Sequence, residues 1–368
     1  MNSGAWLAAN VYDDVNVYSR EIAVPHFDAR PVRIVDLAKE LGLSVATVSR
    51  ALNNSDSVRA ELAEQIRSHA ERRGYVANRL ARSLRSRTRN FVGFLVPDIE
   101  NLAYSIAADA CARYMANSGY QLILAISGDD PQLEHSALRS LIEAQVAGLI
   151  VAPTAEMTPS TRALLTGSSV VEFNRTAGLS KYAVLCAEEA AFARATCHLL
   201  DLGHKSIAYI GTTDSLSNGH ERLAGVRREL ANAGTGLDPL WTRLLPPTEK
   251  DGYESARALL SGPSRPSALL VGSSNLSMGA ARAVREMGIH VPDEMSLVVY
   301  GDSRWGELYE PGLTTVTAPY QDMARRVTDI VSRMVAGDGG IPFGRTRLEA
   351  ELVVRRSTAR PASESAGG

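Results

Sequence analysis

Cysteine, aromatic residues and lysine are all scarce in this chain, and each scarcity closes off a class of protein. Three cysteines in 368 residues, Cys111, Cys186 and Cys197, form an odd and scattered set. They give no disulfide framework and suit a reducing compartment. Aromatics make up 6% of the chain, so a core must be built from Ala, Val, Leu and Ile. No apolar run approaches the roughly 18 residues of a membrane-spanning helix, and no membrane partner is expected. No basic segment followed by an apolar stretch opens the chain, so cytoplasmic residence is expected. Enzyme signatures are missing as well: there is no G-x-x-x-x-G-K-[ST], no G-x-G-x-x-G after a strand and no G-x-S-x-G. Cys197, His198 and His204 are close in sequence but straddle a helix end and a turn, the setting of a buried cysteine and a turn histidine rather than a metal site. A non-enzyme without metal or cofactor is the expectation.

What is present is a globular balance, 45% hydrophobic and 22% charged, at a length that accommodates two or three domains. Lysine occurs four times (Lys39, Lys181, Lys205, Lys250), so arginine is the default cation. The net charge of -2 is unevenly spread. Residues 1–30 carry two basic and four acidic groups, residues 31–90 twelve and six, and the remainder 25 and 31. Seven arginines and no acid lie between Arg72 and Asn90. A basic head on an acidic body points to a nucleic-acid contact at one end.

Residues 1–30 show neither a helical nor a strand period and are expected to be a poorly ordered extension. Three short helices follow. IVDLAKELGL sets Ile34, Leu37, Ala38 and Leu41 on one face and ends at Gly42. Ser44 caps VATVSRALN, with Val48, Ala51 and Leu52 inward. VRAELAEQIRSHAERRG repeats Val58, Leu62, Ile66 and Ala70 and stops at Gly74. Two short helices around a tight turn make a helix-turn-helix candidate, the alternative being a generic three-helix cluster. In the first case the second helix enters the major groove and presents Val45, Ala46, Ser49 and Arg50. Arg50 suits a bidentate bond to guanine, worth about 1–3 kcal/mol of discrimination. Val45 and Ala46 offer apolar contact, and Ser44, Thr47 and Asn53 suit phosphates. From Phe91 onward short apolar runs (FVGFLVPDI, YQLILAIS, VAGLIVAP, SVVEFNR, YAVLCA, KSIAYIG, SALLVGSS, MSLVVYGD) alternate with amphipathic segments. That grammar predicts parallel strands covered on both faces, a doubly wound α/β body of two lobes.

The stretches LAKELGLSVATVSRALNNS and RRGYVANRLARSLRS resemble the DNA-binding head of the lactose-repressor (LacI/GalR) family. The resemblance implies base reading by Val45, Ala46 and Arg50. It also implies a hinge helix carrying Asn78, Arg79, Ala81 and Leu84, with Leu84 as a minor-groove wedge that kinks the duplex. Arg33 stands where the family usually has a capping threonine, a loss of roughly 1 kcal/mol of head stability. The body is similar to the same family over about residues 91–357, through DLGHKSIAYIG, ERLAGVRREL, LTTVTAPYQDMARR and LEAELVVRRST. The fold implied is that of periplasmic sugar-binding proteins, two lobes joined by three crossovers with a ligand in the cleft.

Carried over residue by residue, the pattern puts Asn101, Tyr104, Asn174, Arg222, Ser273 and Asp302 at the effector site. Arg222 is either a fork for a carboxylate, phosphate or sugar hydroxyl, or a surface ion pair. Two departures stand out. Ser273 and Ser274 replace an Asn-Asp pair, and Gly301 replaces the first aspartate of a Gly-(Phe/Tyr)-Asp-Asp motif, which relatives use for sugar hydroxyls. A sugar or a related polar, even anionic, metabolite is the implied effector. Trp305 is either core or a stacking platform.

The whole implies a small all-α helix-turn-helix head with a hinge helix and a two-lobed, periplasmic-binding-protein-like α/β body. The expected divisions are 1–30 (extension), 31–76 (head), 77–90 (hinge) and 91–357 (body), with 358–368 a disordered tail. The first lobe takes about 91–186 and 320–345, the second about 187–319 and 346–357. The implied function is a cytoplasmic, homodimeric repressor that reads a pseudo-palindromic double-stranded operator under control of a small ligand. ARPASESAGG carries no heptads, so a dimer is expected rather than a tetramer. The rival is a solute-binding protein without a DNA role.

Overall fold

The computed structural model describes residues 32–52, 57–75, 90–301, 304–342 and 344–361. They fall into two units, one within Met1–Thr88 and the other within Arg89–Gly368.

The first unit contains α1 (Ile34–Glu40), α2 (Val45–Leu52) and α3 (Ala60–Arg72). Its core is Leu37, Ala38, Val48, Ala51, Ile66 and Ala70, periodic positions of the sequence, together with Ala63, while Leu52, expected inward, is partly buried. Ile34, Leu41, Val58 and Leu62 are only partly buried at its margin. Ser44 caps α2 by accepting the Thr47 N–H at 3.1 Å. At the start of α1 the expected loss is half made good. A guanidinium has no acceptor to offer the helix, yet Asp36 in the first turn accepts the Arg33 backbone N–H at 2.9 Å. Glu40 ties α1 to α3, accepting from His69 Nε2 and from Arg73 Nη2, each at 2.8 Å. The Arg73 bond, then the His69 bond, hold its carboxyl below the usual range.

The second unit is built on two six-stranded sheets. One contains β1 (Phe91–Val96), β2 (Gln121–Ile126), β3 (Gly148–Val151), β4 (Val170–Phe173), β5 (Tyr182–Cys186) and β11 (Gly344–Leu348). These run in the order β11-β5-β4-β3-β1-β2, every pair parallel. The other contains β6 (Ile207–Thr212), β7 (Thr242–Leu245), β8 (Ala268–Gly272), β9 (Ser296–Tyr300), β10 (Thr314–Thr317) and β12 (Glu351–Val353). Their order is β12-β10-β9-β8-β6-β7, parallel apart from the β10–β12 pair. In the first sheet β1, β3 and β4 are inner strands, and Phe94 meets Phe173 edge-on at 5.5 Å.

Helices α4 (Leu102–Asn117), α5 (Pro131–Glu143) and α6 (Pro159–Leu164) belong with the first sheet. Helices α7 (Glu188–Asp201), α8 (Ser217–Asn232), α9 (Glu249–Leu260) and α10 (Ser274–Glu286) belong with the second. After β10 the chain returns to the first sheet as α12 (Tyr320–Val335), which follows the short α11 (Arg304–Leu308) and packs on α4. It therefore passes between lobes three times: after β5, after β10 and between β11 and β12.

Not every strand obeys the expectation of two covered faces. β2 is an edge strand, and Leu124 and Ile126 are 38% and 49% exposed. β7, β10, β11 and β12 lie outside the apolar runs. β11, GRTRL, sits at a sheet edge, where alternate side chains face solvent and arginine is tolerated. Trp305 packs against the core of the second lobe. His204 joins Ser267 Oγ at 2.9 Å, Ser296 Oγ at 3.0 Å and the Ala359 carbonyl at 2.9 Å. That ties together the amino ends of strands in the second sheet. Cys197 donates to Glu229 instead. No helix among the described residues is long and apolar enough to cross a membrane.

Candidate functional site

Parallel strands leave their carboxyl ends on one edge, and both sheets turn that edge to the same cleft. Asn101, Tyr104, Asn174, Arg222 and Ser273 all line one cavity there, together with Arg175, Thr212, Asn218, Ser274, Tyr300 and Tyr320. Asp302 lies outside the described residues. The cavity is about 20 Å³, room for about one water and far below the 300 Å³ or more of a pocket holding a metabolite. The lobes are closed on each other. Asn275 Nδ2 donates to Asp98 Oδ2 at 3.1 Å, and the Thr176 N–H donates to Ser217 Oγ at 2.9 Å. Each bond joins one lobe to the other.

Each cleft residue has a local reason for its place. Asn101 caps α4, its Oδ1 accepting the Ala103 N–H at 3.1 Å, so that acceptor is already engaged. Tyr104, one turn on, is fully buried, and burial raises its phenol pKa against the pull of nearby Arg175. Asn174 follows β4 with φ at 61°, a left-handed conformation asparagine tolerates better than most residues. Its Nδ2 donates to the Tyr104 hydroxyl at 3.1 Å. Arg175 turns inward and pairs with Asp129, Nη2 to Oδ2 at 3.1 Å.

Arg222 corrects the surface reading: the guanidinium is buried and held by protein partners, while it lines the cavity. It is 3% exposed and held by Glu188, Nε to Oε2 at 2.9 Å and Nη2 to Oε1 at 2.6 Å. Nη1 donates to the Gly272 carbonyl at 2.7 Å. Burial opposes its charge most strongly, but Glu188, through its charge and its hydrogen bonds, together with Tyr300 and Tyr320 outweighs burial and lifts the pKa well above the ordinary value. Glu188 opens α7, where the positive end of the helix dipole favours a carboxylate. Gly225 allows the approach: a β-carbon there would lie 2.2 Å from the Glu189 carbonyl, so only glycine lets α8 cross α7 this closely. Glu188 Oε1 also accepts from the Tyr300 hydroxyl at 2.8 Å, and that hydroxyl meets Tyr320 at 3.0 Å. Burial pushes both phenols up, leaving them protonated. Arg222 lies over the Tyr300 ring, 4.1 Å from its centre.

Several buried polar atoms here have no protein partner: Asn174 Oδ1, Arg175 Nε, Thr212 Oγ1 and Ser273 Oγ. The sequence missed Glu188, Arg175, Tyr300 and Tyr320. Arg175 was within reach, next to Asn174 at the end of a predicted strand. Glu188 had only its place at a strand-to-helix turn.

In the first unit Val45, Ala46 and Arg50 are exposed on α2, and Thr47 and Ser49 are half-buried. Arg50 Nε rests on the Ala46 carbonyl at 3.2 Å. Ser44 is engaged in its cap and meets Thr47 Oγ1 at 2.8 Å, which leaves it less available to phosphate than the sequence implied. Asn53, Asn78, Arg79, Ala81 and Leu84 lie outside the described residues.

A three-helix unit with an exposed second helix, joined to a two-lobed body with a cleft at the strand ends, is the build of a ligand-binding regulator of transcription. Residues 33–78 match the model of bacterial regulatory proteins, lacI family, and residues 196–358 that of a periplasmic binding protein-like domain. The catabolite control protein A of Priestia megaterium is 28% identical over 300 residues, 79% of this chain and 89% of the relative. The HTH-type transcriptional repressor PurR of Haemophilus influenzae is 27% identical over 334 residues, 88% of this chain and 98% of the relative. The lac repressor dimer bound to operator and the anti-inducer ONPF aligns with a TM-score of 0.78 at 24% identity, covering 90% of this chain and 100% of that one, a likeness of fold. Residues 33–78 thus carry a lacI-family domain, and over most of its length the chain is similar to DNA-binding regulators of transcription rather than to enzymes.

Proposed function

We propose that the protein is a cytoplasmic, homodimeric repressor whose affinity for a pseudo-palindromic operator is set by a small polar effector in the cleft. The observation that carries this reading is the meeting of Asn101, Tyr104, Asn174, Arg222 and Ser273 around one cavity between the lobes. Four chain stretches distant in sequence supply them, and Asn174, Arg175, Thr212 and Ser273 of the lining hold buried polar atoms without a protein partner. Residues 31–76 act as the head, 77–90 as the hinge and 91–357 as the body. Val45, Ala46 and Arg50 read base edges from α2, assisted by Ser49. Thr47, Asn53 and, beyond its capping role, Ser44 approach phosphates. Asn78, Arg79, Ala81 and Leu84 belong to a hinge helix, with Leu84 wedged at the centre of the site. Two-fold symmetry of the dimer imposes the pseudo-palindrome. Ligand bound between the lobes favours one closure state, and only one state holds the two hinges at operator spacing.

The test is selection of bound fragments from genomic DNA by the purified full chain, with Leu84→Ala alongside. One enriched pseudo-palindrome is expected, bound about tenfold or more weakly by the variant, in keeping with the few kcal/mol tied to unstacking a base step. Absence of any enriched site overturns the repressor reading and favours a solute-binding role for the body.

A further inference from the structure

The first lobe holds a second and larger cavity, about 480 Å³, within the range of pockets that take a metabolite. Its walls come from the chain between Arg162 and Val170, from Gly178–Tyr182 and from Met334 of α12. Val170 and Tyr182 open β4 and β5, so this cavity sits at the amino ends of strands whose carboxyl ends face the cleft. One part of the lining is apolar. Leu165 and Val170 are buried, and Leu179, Tyr182 and Met334 add partly buried surface. The other part carries hydroxyls and two cations, Arg162 and Lys181, and none of the described lining residues is acidic.

The wall is fastened from within. Glu172, wholly buried, accepts from the Thr176 hydroxyl at 2.9 Å, the Ala177 N–H at 2.6 Å and the Leu179 N–H at 3.3 Å. Arg162 Nη1 donates to the Ala177 carbonyl on the same link at 2.9 Å. That bond holds the guanidinium and leaves its Nε–Nη2 edge without a carboxylate among the described residues. It is the edge by which Arg222 grips Glu188, and its two N–H donors match the two oxygens of a carboxylate. Arg162 is exposed, so an ion pair there contributes little alone. A guest must also place hydrocarbon against the apolar wall, where leaving water supplies the rest.

We propose that this cavity is a second ligand site, separate from the cleft, for a small monocarboxylate with an aliphatic or aromatic body. Arg162 takes the carboxylate, while Leu165, Val170, Leu179 and Met334 cover the body. The link that walls the site starts at Asn174 and Arg175 of the cleft, so one run of chain serves both places. The assignment stands whether or not the cleft takes an effector.

The experiment uses the full chain labelled with carbon-13 at the methionine methyls, the Met334 signal being identified by its loss in Met334→Leu. The probes are hexanoate, octanoate, benzoate and phenylacetate, each beside its neutral amide, with acetate and inorganic phosphate as anions lacking a body. At least one of the four carboxylates is expected to move the Met334 signal to saturation, with a Kd at least about tenfold below that of its amide. Acetate and phosphate are expected to leave the signal in place. Arg162→Gln is expected to weaken the carboxylate about tenfold, to the level of the amide. A Met334 signal that no carboxylate moves overturns the proposal, as does an amide that binds as tightly as its acid. Both comparisons need the wild type alone, so they hold even where Arg162→Gln does not fold. Folded Arg162→Gln with undiminished affinity, or a carboxylate that moves other methionines and leaves Met334 still, overturns it as well.

Discussion

Gly301 lies so close to Ser274 that a β-carbon on the glycine would sit 2.6 Å from the serine Oγ. The two departures from the family pattern noted in the sequence, serines after β8 and a glycine after β9, are thus one packing arrangement. Gly301 also has φ at +122°, a region that side-chain-bearing residues rarely enter. Restoring the family's aspartate, Gly301→Asp, therefore adds backbone strain to the overlap. We expect a loss of about 1–3 kcal/mol from the strain alone, measured by urea denaturation. Ser274→Gly on the same background should relieve the overlap and leave the strain. Full recovery in that double variant would mean the backbone is not the constraint.

The Arg222–Glu188 pair gives a second prediction. Arg222→Met leaves the Glu188 carboxylate buried without its partner and should cost about 3–5 kcal/mol. Arg222→Met/Glu188→Leu removes both charges and should regain most of that loss, the Tyr300–Tyr320 bond remaining in place. A denaturant series on both single variants and the double variant measures the coupling. Additive losses would show that the two groups do not depend on each other.

His204 predicts a pH dependence with a definite sign. Burial pushes its pKa below the ordinary 6.5, against the upward pull of the Ala359 carbonyl, and His198 is depressed by burial in the same way. The unfolded chain therefore takes up protons first as pH falls. Stability should decline as pH drops through about 6.5 and level off once the folded rings are protonated. His204→Gln should lower stability at neutral pH by about 1–3 kcal/mol, since Ser267 and Ser296 lose a well-placed partner. It should also flatten the decline. Melting curves for both proteins from about pH 7.5 to about pH 5.5 decide this, and parallel profiles would remove His204 as a contributor.

Arg50, exposed on α2, is expected to read one base. Arg50→Ala should lose about 1–3 kcal/mol of preference at a single position of the half-site, leaving the others unchanged. Repeating the fragment selection with the variant measures it. An identical selected sequence would assign Arg50 to the phosphate backbone or to neither.

Much of this was legible in the sequence, and the omissions have physical reasons. The inner strands announced themselves because both their faces are covered, which demands unbroken apolar runs such as GLIV and ALLVG. β11 did not, because an edge strand is free to carry arginine at alternate positions. The periodic residues of the three helices found one another through local spacing alone. Glu188 was missed because its partner lies 34 residues away, and nothing local distinguishes an inward glutamate at a helix start from a solvated one. The Arg33 departure was visible, but its partial remedy by Asp36 was not drawn from the sequence, although an acid at the third helical position is a local signal.

The three passages between the lobes run side by side. The Ala187 N–H bonds the Leu348 carbonyl at 2.8 Å, and Thr317 pairs with Glu351 across β10 and β12. Three chains laid flat in this way make a ribbon, which flexes readily about its width but resists twisting and sliding. Such a ribbon favours one relative motion of the lobes, opening and shutting like a clamshell. On the function proposed above, a guest in the cleft would do its work along that single motion instead of over many.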